Sequence, residues 1–109
     1  MEINEYQEKA VATAIYGSGH TVIYPALGLA NEAGEVLGKI KKVLRDSDGK
    51  FDSISVRTDI AQEIGDVLWY IAALSRDLEI SLDEIAAMNL QKLADRQSRN
   101  VIGGSGDHR

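Results

Sequence analysis

The segment 29–37 reads LANEAGEVL, and the segment 60–68 reads IAQEIGDVL. Five of the nine aligned positions are identical, and each copy carries two acidic residues three positions apart with a glycine between them. Apolar residues recur at helical spacing through both segments and their flanks, without the period-two alternation of strands. The repeat therefore predicts two related helices in an all-α protein.

Glycines and short polar clusters divide the rest of the 109-residue chain. Between these breaks the apolar periodicity predicts four helices, near 4–15, 25–45, 55–78 and 82–100. Ser81, with Glu84 three positions later, has the pattern of an N-cap for the last helix. We expect one domain over residues 1–109, folded as a four-helix bundle-like unit, with a flexible glycine-rich tail at 103–109.

The two central helices are each predicted to pack through an apolar stripe. On a helix with about 100° per residue, the four acids of the repeat border these stripes on the same side. The stripe residues are Leu29, Ala33, Val36, Ile40 and Leu44 on one helix, and Ile60, Ile64, Val67, Ile71, Leu74 and Leu78 on the other.

The acid pairs are Glu32 with Glu35 and Glu63 with Asp66, and they would meet if the two helices pack antiparallel. Clustered carboxylates repel one another, and a divalent cation is the usual remedy. Because the chain has no cysteine, an oxygen-only ligand set points to magnesium or manganese. A single E-x-x-E pattern is usually a solvated helix face, but two copies in matched contexts favour a metal site.

Gly34 and Gly65 occupy the same position in the two copies. A glycine inside a helix costs about 1 kcal/mol relative to alanine. Its presence in both copies predicts that two backbones, or a backbone and a ligand, approach closely there.

The composition excludes several functional classes. Seventeen acidic against twelve basic residues give a net charge of -5, which argues against non-specific binding to nucleic acid. The absence of cysteine excludes disulfides and cysteine nucleophiles. The acidic opening MEINEYQEKA is unlike a secretory signal, and no apolar run is long enough to span a membrane, so we expect a cytoplasmic protein. Since a domain this small buries a limited core, self-association is also expected.

The stretches YPALGLANEAGEVLGKIKKVLR and EIGDVLWYIAALSRDLEISLDEIAAMNLQKLADR resemble the MazG-type nucleotide pyrophosphohydrolases of the all-α NTP pyrophosphatase superfamily. The likeness runs from about Tyr24 to Arg99 and includes the E-x-x-E, spacer, E-x-x-D signature. It implies hydrolysis of (deoxy)nucleoside triphosphates between the α and β phosphates, giving a monophosphate and pyrophosphate. It also implies homodimers or dimer-based tetramers in which helices of two subunits build each site.

By the same resemblance, the metal ligands would be Glu32, Glu35, Glu63 and Asp66. Glu35 is also our candidate for the general base that deprotonates the attacking water, because it lies farther from the apolar stripe than Glu32. A purely ligating role for Glu35 is the alternative. The only histidines are His20 and His108, so no Ser-His-Asp arrangement is available.

Further residues are candidates for substrate contacts. The resemblance covers the last helix and implies contacts from Asn89, Lys92 and Arg96, the two cations binding phosphate; the alternative is that Lys92 and Arg96 are solvated. Asn89 is expected inside the apolar stripe of that helix, where its amide needs partners. Lys39 follows Glu35 by four positions and either binds phosphate or pairs with that acid.

Two aromatic residues, Trp69 and Tyr70, flank the second acid pair. Trp69 points almost opposite the apolar stripe, where it would either stack on a base or pack in a subunit interface. His20 in its loop, and the glycine-rich tail with Arg109, are weaker candidates for contact with the nucleotide.

The resemblance implies a house-cleaning role, in which the enzyme removes unwanted nucleotides from the nucleotide pool. Three alternatives to this role remain open. A phosphoribosyl-ATP pyrophosphohydrolase-like activity would use the same scaffold. A carboxylate-bundle iron protein would need Glu-x-x-His pairs, which this sequence lacks. A non-catalytic helical dimerisation module would explain the apolar stripes, but it would leave the doubled acids unexplained.

Overall fold

The computed structural model describes residues 1–109 and contains α-helices, one short 3₁₀ turn at Ser18–His20 and no strand. The four helices are α1 (Ile3–Val11), α2 (Ile23–Asp46), α3 (Ile54–Asp77) and α4 (Leu82–Ser98). This confirms the predicted helix number and the all-α class. None of these helices has the length and hydropathy needed to cross a bilayer.

Local side-chain bonds explain where several helices begin and end. The Ser81 hydroxyl accepts a hydrogen bond from the Glu84 N–H at 3.1 Å, which confirms the predicted N-cap of α4. At the other end of the chain, α1 stops at Val11, four residues earlier than predicted. There the Thr13 hydroxyl donates to the Ala10 carbonyl at 2.7 Å, so a local side-chain bond replaces the continuing helix.

The helices form a series of pairwise contacts in the spatial order α2, α3, α1, α4. A short connection joins α2 to α3, which run antiparallel along each other, while α1 packs on α3 and α4 chiefly on α1. A small core forms where Ala10, Ala72 and Leu82 meet. Buried Gln7 fixes this junction, because its Oε1 accepts the Leu82 N–H at 3.0 Å and its Nε2 donates to the Ala72 carbonyl at 3.3 Å.

The seam between α2 and α3 is more polar than the apolar periodicity predicts. Gly28 meets Tyr70 at one end of it, and Val43 and Val56 share a cavity at the other. The predicted apolar stripes are only partly covered, since Ala33, Leu44, Ile64 and Leu78 are exposed. Seven of the eleven stripe residues are at least partly buried, so the expected contact between the two helices is only partly covered in the single chain.

Several apolar side chains of α2 lie on a solvent-exposed face. We call this face the outward stripe; its members follow heptad-like spacing and are Ile23, Leu27, Ala30, Gly34, Leu37 and Leu44. Leu27, Leu37 and Leu44 are each about two-thirds exposed. The radius of gyration is 16.8 Å, against about 13 Å for a compact domain of this size. The single chain thus leaves a large apolar surface uncovered.

Neither repeat glycine marks a close approach of α2 to α3. A Cβ added at Gly34 or at Gly65 would meet nothing within 4 Å. The expected backbone contact is therefore absent within one chain, and both positions are open on the surface.

Gly28 is the glycine that packing does require. A Cβ there would clash with Cε1 of Tyr70, so the ring would have to move. We expect Gly28→Ala to lower the free energy of unfolding by about 1–3 kcal/mol through overpacking, whereas Gly34→Ala should raise it by up to about 1 kcal/mol in a monomeric chain. Urea unfolding of both variants checks this; equal stability of the two would contradict it.

Candidate metal and nucleotide site

Three carboxylates converge in the seam between α2 and α3. One oxygen each from Glu32, Glu63 and Asp66 lies within 4.8 Å of the others. The antiparallel arrangement brings them together because Glu32 on α2 faces the middle of α3, where Glu63 and Asp66 lie about one turn apart. The predicted convergence is thus observed for three of the four repeat acids.

The electrostatics of this three-carboxylate group are those of a cation site. Partial burial first, and then the negative charges of Asp66, Glu63 and Glu35, raise the pKa of Glu32 above its ordinary value. The donors are all carboxylate oxygens from two rigid helices, which suits a hard divalent cation such as Mg²⁺ or Mn²⁺. The group therefore fits a metal ion that would offset the repulsion among its members.

Glu35, the fourth repeat acid, is not part of this group. Its side chain is exposed on α2, yet its charge still contributes to the raised pKa of Glu32. It therefore lies beside the three-carboxylate group with a solvent-accessible carboxylate. Its roles as ligand and base stay predictions.

Lys39 contacts the site from α2. Its Nζ lies 4.0 Å from Oε1 of Glu63, and both side chains are partly buried. The structure thus directs Lys39 across the seam toward α3, and no ion pair with Glu35 forms. A single cation beside three carboxylates leaves the group negative.

An aromatic cavity of about 420 Å³ opens next to the carboxylates. It is lined by Thr13, Ile15, Tyr16, Tyr24, Glu32, Asp66, Trp69 and Tyr70. Glu32 and Asp66 therefore belong both to the three-carboxylate group and to the cavity wall. This position brings a flat apolar surface directly against the candidate cation site.

Trp69 and Tyr70, the two predicted aromatic residues, both line this cavity. The Trp69 indole N–H donates to the Thr13 hydroxyl at 2.8 Å and to the Ala10 carbonyl at 3.1 Å, so α1 fixes the ring. The Tyr70 ring lies edge-on to the indole at 4.9 Å between centroids. Trp69 is thus half-buried against α1, and its predicted roles in base stacking or in a subunit interface stay predictions.

Sequence reasoning missed the other half of the cavity. Tyr16 and Tyr24 stack with ring centroids 5.0 Å apart, and Tyr24 lies 6.4 Å from Tyr70. Both residues sit at the edges of predicted helices, where periodicity carries no information. Three of the four tyrosines in the chain gather here, and the sequence carries no local signal for this grouping.

The predicted phosphate contacts of α4 lie away from the carboxylates. The side chains of Lys92 and Arg96 both bind Asp107 of the tail, at 3.1 and 3.2 Å. Asn89 is exposed, which corrects the expectation that it lies within a buried stripe. Within one chain, α4 packs chiefly on α1, so these three residues do not join Glu32, Glu63 and Asp66. Their roles toward substrate stay predictions, as does the flexibility of the tail.

The comparison with known families decides the assignment. Residues 21–101 match the profile of the MazG nucleotide pyrophosphohydrolase domain. The chain belongs to the MazG nucleotide pyrophosphohydrolase family. The matched range contains all four repeat acids and the whole of α2, α3 and α4, so the resemblance inferred from the doubled acid motif is confirmed.

One curated relative of this MazG chain is the "Gene 37 protein" of Mycobacterium phage L5, 44% identical over 115 residues with both chains fully covered. Its name states no activity. No solved structure matches this chain significantly. The family membership indicates nucleotide pyrophosphohydrolase activity in general terms and leaves the substrate to the site itself.

Proposed function

We propose that this MazG protein hydrolyses (deoxy)nucleoside triphosphates between the α and β phosphates, in a magnesium-dependent reaction that releases a nucleoside monophosphate and pyrophosphate. This proposal rests mainly on the position of the three-carboxylate group directly beside the aromatic cavity. One part suits a cation with its polyphosphate, and the other suits a flat base. Such an activity would remove unwanted nucleotides from the cellular pool.

Glu32, Glu63 and Asp66 would hold the ion, and Glu35 at the edge of the group would act chiefly as the base, with a ligating role as the alternative. A divalent cation bound there would neutralise phosphate charge and favour attack of water on the α phosphorus. Mg²⁺ is the proposed ion, and Mn²⁺ would satisfy the same donors. Glu35 has an exposed carboxylate beside the group, so it can take the proton from the attacking water.

The order of groups along α2 supports one direction of substrate binding. Gly28, which touches Tyr70, and Lys39, which approaches Glu63, are eleven residues apart, or about 16 Å along a helix. Glu32 lies between them. The base would therefore occupy the aromatic cavity between Trp69 and the tyrosines, and the β and γ phosphates would extend toward Lys39.

The complete enzyme is proposed to be a homodimer or a dimer-based tetramer. The outward stripe leaves apolar side chains exposed on α2, and the exposed Gly34 within it allows a second helix to come close. A second copy would cover this face. It is also the proposed source of Asn89, Lys92 and Arg96, which do not reach the acids of their own chain.

A panel of canonical and modified nucleoside and deoxynucleoside triphosphates, incubated with the protein and Mg²⁺, tests this function. We expect pyrophosphate as the primary product, and EDTA should abolish its release. Orthophosphate as the primary product would contradict α–β cleavage. Cleavage of phosphoribosyl-ATP without cleavage of any ordinary triphosphate would favour the sibling activity, and no hydrolysis at all would favour a non-catalytic dimerisation module.

A further inference from the structure

Asp77, the last residue of α3, organises the loop that precedes α2. Its side chain is 4% exposed. Its Oδ2 accepts hydrogen bonds from the Tyr16 hydroxyl at 2.8 Å and from the Val22 N–H at 2.9 Å, while Oδ1 accepts from Nε of Arg76 at 2.9 Å. One carboxylate therefore holds two separate points of the loop between α1 and α2.

Val22 has a backbone conformation that needs such support. Its φ of 69° and ψ of -55°, with the Ile23 N–H donating to the Thr21 carbonyl at 2.8 Å, define a γ-turn of the rare positive-φ kind. For a β-branched residue this is a true outlier, costing on the order of 1–3 kcal/mol. Strain of this size persists only where surrounding contacts enforce it, and the Asp77 bond to the Val22 N–H is such a contact.

The loop held by Asp77 carries half of the aromatic cavity. Tyr16 donates its hydroxyl proton to Asp77, and its ring stacks on Tyr24, two residues beyond the γ-turn. Both rings line the cavity beside Glu32, whereas Asp77 does not line it. Asp77 thus sets the position of two cavity rings from behind them.

Arg76 completes this arrangement. Its guanidinium donates to the Tyr16 hydroxyl at 3.0 Å and lies 5.9 Å from the centroid of the Tyr16 ring. The hydrogen bonds from Val22, Tyr16 and Arg76 outweigh the effect of burial, which by itself would raise the pKa of Asp77, and they lower that pKa. Asp77 is therefore charged near neutral pH and can accept all these bonds at once.

We propose that Asp77 is a positioning residue for substrate binding, which sets the width of the aromatic cavity through Tyr16 and the strained turn at Val22. The width of the cavity would affect binding of the nucleoside end of the substrate, which is an aromatic heterocycle with its sugar. The proposal rests on the proposed function, because it takes the aromatic cavity as the site of the base.

The internal repeat supplies a matched control. Arg45–Asp46 ends α2 as Arg76–Asp77 ends α3, at the same 31-residue offset as the acid motifs. Asp46 is exposed, and its side chain binds only that of Arg45. Asp46→Asn therefore makes the same chemical change at the equivalent helix end, away from the aromatic cavity.

The test compares steady-state kinetics of Asp77→Asn, Tyr16→Phe and Asp46→Asn on a triphosphate that the wild type cleaves. An asparagine has only one carbonyl oxygen and must lose part of the bond set, so we expect KM to rise about tenfold for Asp77→Asn. For Tyr16→Phe, KM should rise several-fold. The kcat of Asp77→Asn and of Tyr16→Phe should stay within about twofold of the wild-type value. Asp46→Asn should match the wild type in both KM and kcat.

The split between KM and kcat separates positioning from simple loss of structure. A partly unfolded sample has fewer active molecules, so its apparent kcat falls while its KM is unchanged. A loss of this kind in Tyr16→Phe, or an unchanged KM there, overturns the proposal even if Asp77→Asn fails to fold. Absence of wild-type turnover on every triphosphate is a different result, which overturns the proposed function itself.

Discussion

Replacing Glu35 by glutamine is expected to reduce triphosphate hydrolysis at least about a thousandfold while leaving metal binding largely intact. The reason is its position: Glu35 lies outside the three-carboxylate group but beside it, with an exposed carboxylate that can accept a proton. Single-turnover hydrolysis and Mn²⁺ binding, measured on the same sample, check this. Full activity with an unchanged melting curve would refute the catalytic role.

Glu32→Gln provides the contrasting variant. Burial and three neighbouring acids already disfavour the charged form of Glu32, so removing that charge should raise the metal-free melting temperature. The same change should abolish both Mn²⁺ binding and hydrolysis, because Glu32 belongs to the three-carboxylate group. Asp59→Asn, an exposed acid one turn before Glu63, is the control and should affect neither. If Glu35→Gln and Glu32→Gln lose metal equally, Glu35 is a ligand.

Replacing Leu37 by aspartate is expected to convert the protein into monomers and to remove most of its activity. Leu37 is 68% exposed at the middle of the outward stripe, where a second copy would bury it. An unpaired charge in such an apolar contact costs several kcal/mol, which is enough to dissociate a small oligomer at micromolar concentration. Light scattering coupled to gel filtration measures the mass directly.

Ile102→Asp serves as the control for this change, because it introduces the same charge at an exposed apolar residue outside the outward stripe. It should keep the wild-type mass and activity. A wild type that is already monomeric at micromolar concentration, and fully active, would show that the outward stripe is not the contact between copies and that α4 of a second chain is not needed.

The doubled acid motif made much of this site predictable from sequence. Helical spacing located Glu32, Glu63 and Asp66 on the correct sides of two helices, and a short connection between those helices left an antiparallel pairing as the simplest arrangement. The identity of the packing faces was not predictable in the same way. α2 carries apolar residues on more than one side, and hydropathy does not distinguish a face buried within the chain from one available to a partner.

The remaining parts depend on contacts between residues far apart in sequence. Trp69 faces the cavity because α1 packs on α3 and the turn after α1 offers Thr13 as a hydrogen-bond acceptor, fifty-six positions away. Asp107 pairs with Lys92 and Arg96 from a tail that has no periodic pattern. Such pairings arise from tertiary geometry, and a single sequence carries no local signal for them.

Val22 bears on how this protein could be engineered. Glycine adopts positive φ without steric cost, so Val22→Gly would relax the backbone ahead of α2. Glycine keeps the backbone N–H that donates to Asp77, so the loop can retain this hydrogen bond while the strain at residue 22 is removed. A directed-evolution screen that rewards heat resistance would therefore be expected to enrich glycine at this position, without the catalytic cost expected of Asp77→Asn.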